Sequence, residues 1–281
     1  MNQCYFPCFN PEITLLGGQS FSWDKVVENG NTYYIGTTDS KVIKIQYKED
    51  TLYWQTYPEK NDEKFINEYF RINYDYNSVL AKICNDKFVK KALEHVPFVR
   101  ILKQPLNLTV FSFIMSSNSN IKKIRFCYRE LSRLLGRKIG VEGIIYSLFP
   151  NAEILLNASL EKLREAKVGY RAKYIKKTAK MLVELNYENR LKNLSCDIAR
   201  NELLKLFGVG PKVADCILTF ALNCENIMPI DVWTRRLLMD LYKVPEKWSY
   251  KQIKEWTERN FHGYASLSGQ ILFEWYRSRK K

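Results

Sequence analysis

Lys212 and Asp231 are the two residues of this chain whose types and spacing best suit chemistry on a sugar. Lys212 opens a helical pattern that is otherwise apolar, so its amine lies at the edge of a buried surface, where the neutral, nucleophilic form is favoured. Asp231 lies 19 residues later, at the start of the next helical pattern. A carboxylate stabilises positive charge that develops at an anomeric carbon, and an amine captures that carbon. The pair therefore suits cleavage of an N-glycosidic bond.

Each of the two residues also has an ordinary structural interpretation. A helical lysine is usually solvated, and an aspartate at the start of a helix is usually an N-cap. The predicted chemistry therefore requires that both residues reach one cleft. A helix that leaves Lys212 and a return helix that starts with Asp231 would bring them there.

The segment before Lys212 predicts a tight turn between two helices. Gly208, Val209 and Gly210 follow an apolar helical pattern, and Pro211 occupies the first helical position that proline favours. Two glycines permit a turn whose backbone N–H groups, at a helix N-terminus, bind phosphate without reading base sequence. The alternative is a plain corner between two helices that binds no ligand.

The elements that must position these residues change character along the chain. Residues 32–35, 41–47 and 51–57 are rich in Tyr, Ile, Val, Thr and Trp and are separated by turn-like clusters, which predicts an antiparallel meander. From about residue 61 the apolar period becomes helical, with Asn61 and Ser78 as predicted N-caps. Further helical patterns cover roughly residues 105–116, 120–134, 152–166, 171–186, 197–206, 211–223, 232–243, 249–259 and 264–279.

These patterns predict an α+β protein of two domains. Residues 1–98 are expected to form a small antiparallel β-sheet domain with flanking helices, and residues 99–281 a mostly helical domain. The C-terminal helix is expected to pack back on the N-terminal domain. The candidate site would then lie where the two domains meet.

The charge balance indicates a polyanionic partner. The chain has 44 Lys and Arg against 30 Asp and Glu, a formal net charge of +14. Nucleic acid is the commonest partner of such a surface, and a merely solvated basic surface is the alternative. Neither a signal peptide nor an apolar run of membrane-spanning length is evident. The expected location is therefore the cytoplasm, at the nucleoid if the source is prokaryotic.

The cysteines and histidines argue against a metal or a redox cofactor. The seven cysteines are odd in number and scattered, which suits free thiols in a reducing compartment. Cys4 and Cys8 lack a second pair for zinc, the C-terminus has no cysteine cluster for an iron–sulfur centre, and only two histidines are present. We expect no cofactor and no metal held by side chains. Whether a cation binds the backbone carbonyls of the turn, near Leu204, Leu206 and Val209, stays an open question.

Five short motifs along the chain carry a family resemblance. Leu-Phe-Gly-Val-Gly-Pro-Lys at 206–212 and Pro-Ile-Asp-Val at 229–232 are similar to the hairpin and catalytic aspartate of the helix–hairpin–helix glycosylase superfamily. The other motifs resemble its 8-oxoguanine DNA glycosylase family. They are Gly-Gln-Ser-Phe-Ser-Trp at 18–23, Ser-Ser-Asn-Ser-Asn-Ile at 116–121 and Gly-Tyr-Arg-Ala-Lys-Tyr at 169–174. The similarity covers nearly the whole chain.

The resemblance implies a bifunctional enzyme of base excision repair, which releases 8-oxoguanine from double-stranded DNA and then cuts the strand by β-elimination. Lys212 would be the nucleophile that forms a Schiff base, and Asp231 would assist it. The carbonyl of Gly18 would accept the N7–H that only the oxidised base carries. The base would stack between Phe273 and Cys216. The chain is expected to act as a monomer.

The resemblance also assigns residues to the distorted duplex. Asn118 would fill the hole left by the extruded base, Tyr170 would act as the wedge, and Arg171 would donate to the orphan cytosine. The family's second arginine for that cytosine is Lys123 here, which makes no planar bidentate contact. The second asparagine of the family's loop is Ser119. These departures predict relaxed selectivity for cytosine opposite the lesion.

Two further departures concern the predicted base pocket. The family's pocket glutamine lies four residues before the stacking phenylalanine, where this chain has Gly269, and Gln270 is displaced by one residue. Gln270 is nevertheless a candidate base-reading residue, since a local shift would restore the contact. The family's histidine two residues after the aspartate is Trp233 here. The lysine and the aspartate themselves are unchanged.

Two rival functions remain. A lyase of the endonuclease III kind would act on other oxidised bases, but its C-terminal cysteine cluster is missing and the motif at 18–23 is present. A non-catalytic hairpin module would only bind the DNA backbone, and it would have no use for Lys212 together with Asp231.

Overall fold

A five-stranded antiparallel sheet forms the first part of the computed structural model, which describes residues 1–279 apart from the side chain of residue 192. The strands are β1 (Asn2–Tyr5), β2 (Trp23–Glu28), β3 (Asn31–Thr37), β4 (Val42–Lys48) and β5 (Thr51–Tyr57), in the order β1-β5-β4-β3-β2. The three predicted strands are consecutive antiparallel neighbours, so the predicted meander is confirmed. β1 and β2 extend the sheet at its two edges and were not predicted.

Four short helices accompany the sheet: α1 (Pro11–Leu16), α2 (Glu63–Phe70), α3 (Tyr76–Ile83) and α4 (Lys87–Leu93). Asp62 caps α2 and Asp75 caps α3, each by accepting a hydrogen bond from a backbone N–H of the first turn. The predicted N-caps Asn61 and Ser78 are therefore wrong. A carboxylate is an equally good cap and also interacts favourably with the positive end of the helix dipole.

The rest of the chain is mostly helical, as predicted. Its helices are α5 (Leu106–Met115), α6 (Ile121–Leu135), α7 (Ala152–Asn157), α8 (Leu160–Glu165), α9 (Arg171–Glu184), α10 (Tyr187–Lys192), α11 (Cys196–Leu203), α12 (Pro211–Phe220), α13 (Val232–Tyr242), α14 (Tyr250–Asn260) and α15 (Ala265–Ser278). None of the helices within residues 1–279 has the length and apolar character that a membrane crossing needs.

Three local features of the helical part differ from the sequence prediction, and one of them is helix α10, which was not predicted. A hairpin of β6 (Lys138–Val141) and β7 (Ile144–Ser147) lies between α6 and α7. In β7, Ile144 and Ile145 are both exposed, so this strand lacks the alternation of buried and exposed positions that predicts a strand. The single helix predicted over 152–166 is two helices, because Ser159 caps the start of α8.

Three apolar clusters hold the elements together. One lies between the sheet and helices α1 and α2, and a small one lies between the sheet and the hairpin of β6 and β7. The largest runs through the helical part and includes buried residues of α3 and α4. α15 packs against α4 and α13, and the ring of Trp275 lies 6.1 Å from that of His95. The C-terminal helix thus contacts the first part of the chain, while the domain boundary after residue 98 stays a prediction.

Cys196 and Cys224 form a disulfide bond between the start of α11 and the segment after α12. The expectation of free thiols throughout is therefore wrong for these two residues. The sequence alone does not predict this pairing, because the two cysteines are 28 residues apart and only the packing of α11 on α12 brings them together. The free thiols are those of Cys4, Cys8, Cys84, Cys127 and Cys216.

Replacing both Cys196 and Cys224 with serine is expected to lower the free energy of unfolding by about 3 kcal/mol, since the bridge restricts the unfolded chain over a loop of this size. Denaturant-induced unfolding under non-reducing conditions measures the difference. Cys84→Ser removes a free thiol and serves as the control, which should unfold like the wild type. Equal stability of the wild type and the double variant would contradict the bridge.

Candidate active site

A cleft of about 1050 Å³ lies between the first part of the chain and the helical part. Its walls come from the segment around residues 16–21, the loop after α5, the start of α12, the residues that begin α13, and α15. Six of the predicted site residues line it: Gly18, Asn118, Gly210, Lys212, Asp231 and Phe273. The fold therefore gathers into one concavity residues that are distant in sequence.

The turn before Lys212 has the backbone that the two glycines predicted. α11 ends at Leu203 and α12 begins at Pro211, with Gly210 as its N-cap. Gly208 adopts a φ of +79°, and a Cβ at this position would lie 2.9 Å from the Cβ of Tyr174. Both the conformation and the space therefore require glycine. No side chain caps α12, so its first-turn N–H groups could meet a phosphate, which stays a prediction.

Lys212 stands on the first turn of α12 and is held in the cleft by a serine. Its Nζ donates to Oγ of Ser116 at 2.8 Å and lies 5.3 Å from the centroid of the Phe113 ring. The Ser116 hydroxyl donates in turn to the carbonyl of Phe113 at 2.6 Å. Because the hydroxyl hydrogen is directed to that carbonyl, a lone pair of Ser116 Oγ is left to accept from the Lys212 amine. Sequence reasoning had assigned no role to Ser116.

Asp231 is the N-cap of α13, and its Oδ1 accepts from the N–H of Thr234 at 2.7 Å. The carboxylate thus caps a helix, which was the structural alternative to a catalytic role. Asp231 nevertheless lines the same cleft as Lys212. Among the ion pairs of residues 1–279, none joins Asp231 to Lys212. The amine and the carboxylate share the cleft without being paired to each other.

Cys216 lies one turn after Lys212 on α12 and is 3% exposed. Burial raises the pKa of its thiol to about 12, and the neighbouring Lys212 ammonium acts in the opposite direction. The thiol is therefore neutral at physiological pH, with the polarisable, weakly polar surface of a small apolar group. It belongs to the large core cluster, against which Phe273 packs.

Gly18 and Phe273 lie against each other in the cleft wall. An ideal Cβ at Gly18 would lie 2.7 Å from Cε1 of Phe273, so a side chain at residue 18 would displace the ring. The contact places the predicted lesion reader beside the predicted stacking ring. It brings the segment after α1 onto α15, from opposite ends of the chain.

A buried carboxylate behind the cleft was missed by sequence reasoning. Asp215 is fully buried, and its oxygens accept from Nε of Arg200 at 2.7 Å and from the hydroxyl of Tyr250 at 2.6 Å. Burial raises the pKa of Asp215, and these two donors act against that effect. Tyr250 also lines the cleft and accepts from the N–H of Ile230, the residue before Asp231. The network thus ties α12 to the segment that carries Asp231.

Comparison with known families agrees with this arrangement. Residues 6–107 match the family described as 8-oxoguanine DNA glycosylase, N-terminal domain. Residues 111–262 match the family described as HhH-GPD superfamily base excision DNA repair protein. A Saccharomyces cerevisiae protein named N-glycosylase/DNA lyase is 30% identical over 256 residues, which cover 82% of this chain and 67% of that protein.

The chain belongs to the 8-oxoguanine DNA glycosylase family. Two further relatives extend the similarity. The N-glycosylase/DNA lyase OGG1 of Arabidopsis thaliana is 31% identical over 286 residues, which cover 93% of this chain and 75% of that protein. The crystal structure of the Clostridium acetobutylicum 8-oxoguanine glycosylase/lyase, in complex with double-stranded DNA containing cytosine opposite 8-oxoguanine, matches with a TM-score of 0.89 at 30% identity. The match covers 98% of this chain and 93% of that structure.

The displaced glutamine of this family member does not point into the cleft. Gln270 is 7% exposed, and its Nε2 donates to Oε1 of Glu274 at 3.0 Å. An ideal Cβ at Gly269 would lie 2.6 Å from Cγ of Met228, so the family's glutamine could not occupy that position without displacing Met228. The local shift that would return Gln270 to the base is absent here. Its role in base recognition stays a prediction.

The residues predicted to contact the orphan base lie around the loop after α5. Asn118 has a φ of +48° and lines the cleft. Arg171 is 9% exposed and donates to the carbonyls of Ser117 and Asn118, so in this structure it braces the loop. Tyr170 is 54% exposed, as a wedge would need to be. Lys123 is exposed on α6, with its Nζ 5.1 Å from the centroid of the Phe126 ring.

Proposed function

We propose that this chain is a bifunctional DNA glycosylase and β-lyase that excises 8-oxoguanine from double-stranded DNA in base excision repair. The observation that carries the proposal is the shared cleft of Lys212 and Asp231, with Gly18 and Phe273 in its wall. A cleft of about 1050 Å³ accommodates an extruded nucleotide, which is the form in which an enzyme reaches a base of a duplex. Family membership gives the proposal its substrate class.

The reaction begins at the N-glycosidic bond. The Asp231 carboxylate stabilises the positive charge that develops at C1′ as the C1′–N9 bond breaks. Nζ of Lys212 bonds to C1′, and the departing base takes up the proton that this nitrogen releases. Opening of the sugar ring gives a Schiff base. Loss of a proton from C2′ then expels the 3′ phosphate and cuts the strand.

The oxidised base is read in the wall formed by Gly18 and Phe273. The carbonyl of Gly18 accepts the N7–H of 8-oxoguanine, a hydrogen that guanine lacks. The base stacks on the Phe273 ring, with the neutral thiol of Cys216 on the other side. Gln270 would take part only after leaving Glu274.

The duplex is held open by residues of the orphan-base region. Tyr170 enters the stack as a wedge and Asn118 fills the vacated position, which offsets part of the cost of extrusion. Arg171 and Lys123 contact the orphan cytosine. When DNA binds, the Arg171 guanidinium gives up its hydrogen bonds to the carbonyls of Ser117 and Asn118 and donates to the cytosine instead. The hairpin of Gly208, Val209 and Gly210 binds a backbone phosphate.

The proposed function also has consequences for the partner, the cofactor, the oligomeric state and the location of the protein. The net charge of +14 favours association with DNA, and the chemistry needs no cofactor. We propose that the chain acts as a monomer in the cytoplasm, at the nucleoid if the source is prokaryotic, where the Cys196–Cys224 disulfide is an exception to the reduced thiols that this compartment favours.

The purified protein is expected to cut an 8-oxoguanine strand without alkali treatment, with a preference for cytosine opposite the lesion that is less than about tenfold, because a lysine replaces one bidentate arginine. Duplexes with each of the four opposite bases, analysed with and without hot alkali, measure base release and strand cutting separately. Lys123→Arg is the matched variant and should increase the preference for cytosine.

Each rival function predicts a different result in the same assay. An endonuclease III-like lyase would cut duplexes with oxidised pyrimidines and leave 8-oxoguanine intact. A non-catalytic module would bind every duplex and release no base. Either pattern would overturn the proposed function.

A further inference from the structure

Glu274 joins the two ends of the chain behind the wall of the cleft. Its side chain is 6% exposed on α15, next to Phe273. Oε1 accepts from the backbone N–H of Gly18 at 2.9 Å and from Nε2 of Gln270 at 3.0 Å. Oε2 accepts from Nη2 of Arg277 at 2.9 Å. One buried carboxylate thus binds three donors, two of them on residues predicted to read the damaged base.

The backbone around Gly18 is closely fitted to this carboxylate. A Cβ at Gly17 would lie 2.5 Å from Oε1 of Glu274 and 2.4 Å from the carbonyl oxygen of Ile13. A Cβ at Gly18 would meet the Phe273 ring at 2.7 Å. Neither glycine has a positive φ, so the space, not the backbone conformation, excludes side chains here. The pocket wall therefore depends on glycine at residues 17 and 18, because only glycine leaves room for Glu274 and Phe273.

We propose that Glu274 is a positioning residue that sets the specificity for the damaged base, an inference that rests on the proposed function. Its carboxylate restrains the peptide before Gly18, and with it the residue whose carbonyl distinguishes 8-oxoguanine from guanine. The same oxygen keeps the amide of Gln270 out of the cleft. In this chain the lesion is thus read by the backbone that Glu274 restrains, without a glutamine at the base edge.

Arg277 makes a buried acid at this position tenable. A carboxylate removed from water is stable only when paired and hydrogen-bonded, and Arg277 supplies the opposite charge. The Arg277 guanidinium also lies 5.4 Å from the centroid of the Phe273 ring and lines the cleft. Phe273 and Arg277 face the cleft, while Glu274 joins α15 to the segment that carries Gly18.

The test separates base recognition from the chemistry of the lysine. Single-turnover rates are measured on two duplexes, one with 8-oxoguanine opposite cytosine and one with a preformed abasic site, which needs no base recognition. Glu274→Met removes both acceptor oxygens at similar length, and it is expected to slow 8-oxoguanine release about tenfold. Abasic-site cutting by the same variant should stay within about twofold of the wild type, because the interactions of Lys212 are untouched.

Two conservative variants complete the test. Glu274→Gln keeps one oxygen that accepts from the N–H of Gly18, so it should release 8-oxoguanine faster than Glu274→Met does. Glu274→Asp keeps the charge but withdraws the oxygens by one methylene, so it should lose 8-oxoguanine release selectively, and it stands in for Glu274→Met if that variant fails to fold.

The outcomes distinguish the inference from the function on which it rests. A parallel loss of both rates in every soluble variant, or no loss in any of them, would overturn the role of Glu274. Absence of 8-oxoguanine release by the wild type would instead overturn the proposed function.

Discussion

Lys212→Gln is expected to abolish covalent trapping by borohydride and to reduce base release by about 10³-fold or more, the scale of loss seen when a nucleophile is removed. The variant lacks the amine that bonds to C1′, so no Schiff base forms and no strand is cut. The glutamine amide can still donate to Ser116, whose hydroxyl now accepts from Nζ at 2.8 Å. The fold and the binding of damaged DNA should therefore be retained.

The measurement is a trapping gel with an 8-oxoguanine duplex, together with a binding titration of the same duplex. Lys205→Gln is the matched control, since Lys205 belongs to the same part of the chain, is 59% exposed and pairs with Glu202. That variant should be trapped like the wild type. A covalent adduct with Lys212→Gln would mean that another amine performs the reaction.

Asp231→Asn is expected to slow base release by about 10²–10³-fold, because a neutral amide no longer stabilises the positive charge that develops at C1′. The free energy of unfolding should change by no more than about 0.5 kcal/mol, since asparagine caps a helix as well as aspartate does. Its amide oxygen can accept the Thr234 N–H that now binds Oδ1 of Asp231 at 2.7 Å. The substitution thus separates the two roles that one carboxylate combines.

Single-turnover base release and thermal unfolding are measured on the same preparations. Asp75→Asn changes the N-cap of α3, which accepts from the N–H of Ser78 at 3.1 Å and is not among the residues that line the cleft. It reports what the change of cap alone does to stability. Base release by Asp231→Asn at the wild-type rate would leave Asp231 with its capping role only.

Local sequence was sufficient for the features that depend on neighbours along the chain. Composition and turn-like clusters predicted the meander, because β-branched and aromatic residues favour strands. The apolar period predicted the order of the helices, since burial of one face repeats about every 3.6 residues in a helix. Gly208 and Pro211 predicted the turn before Lys212, because a positive φ and a fixed φ are properties of single residues. The family motifs then supplied the site residues.

Contacts between distant segments were decided by packing alone. Tyr250 reaches Asp215 and Ile230, and Glu274 reaches Gly18 across 256 residues of sequence. No periodicity encodes such pairs, because each depends on how whole helices and loops are oriented after burial. The pairing of Cys196 with Cys224 has the same origin.

The direction of a side chain was the other property that required the tertiary structure. Gln270 was a candidate base reader from its sequence position, yet a one-residue shift on a helix turns a side chain by about 100°, and here it meets Glu274. Arg171 was assigned to the orphan cytosine, and it braces the loop at Asn118. The sequence by itself determined which chemical groups this protein has and which elements carry them. Only the packed structure determined which groups face the cleft, because that depends on the rotation of each helix against its neighbours.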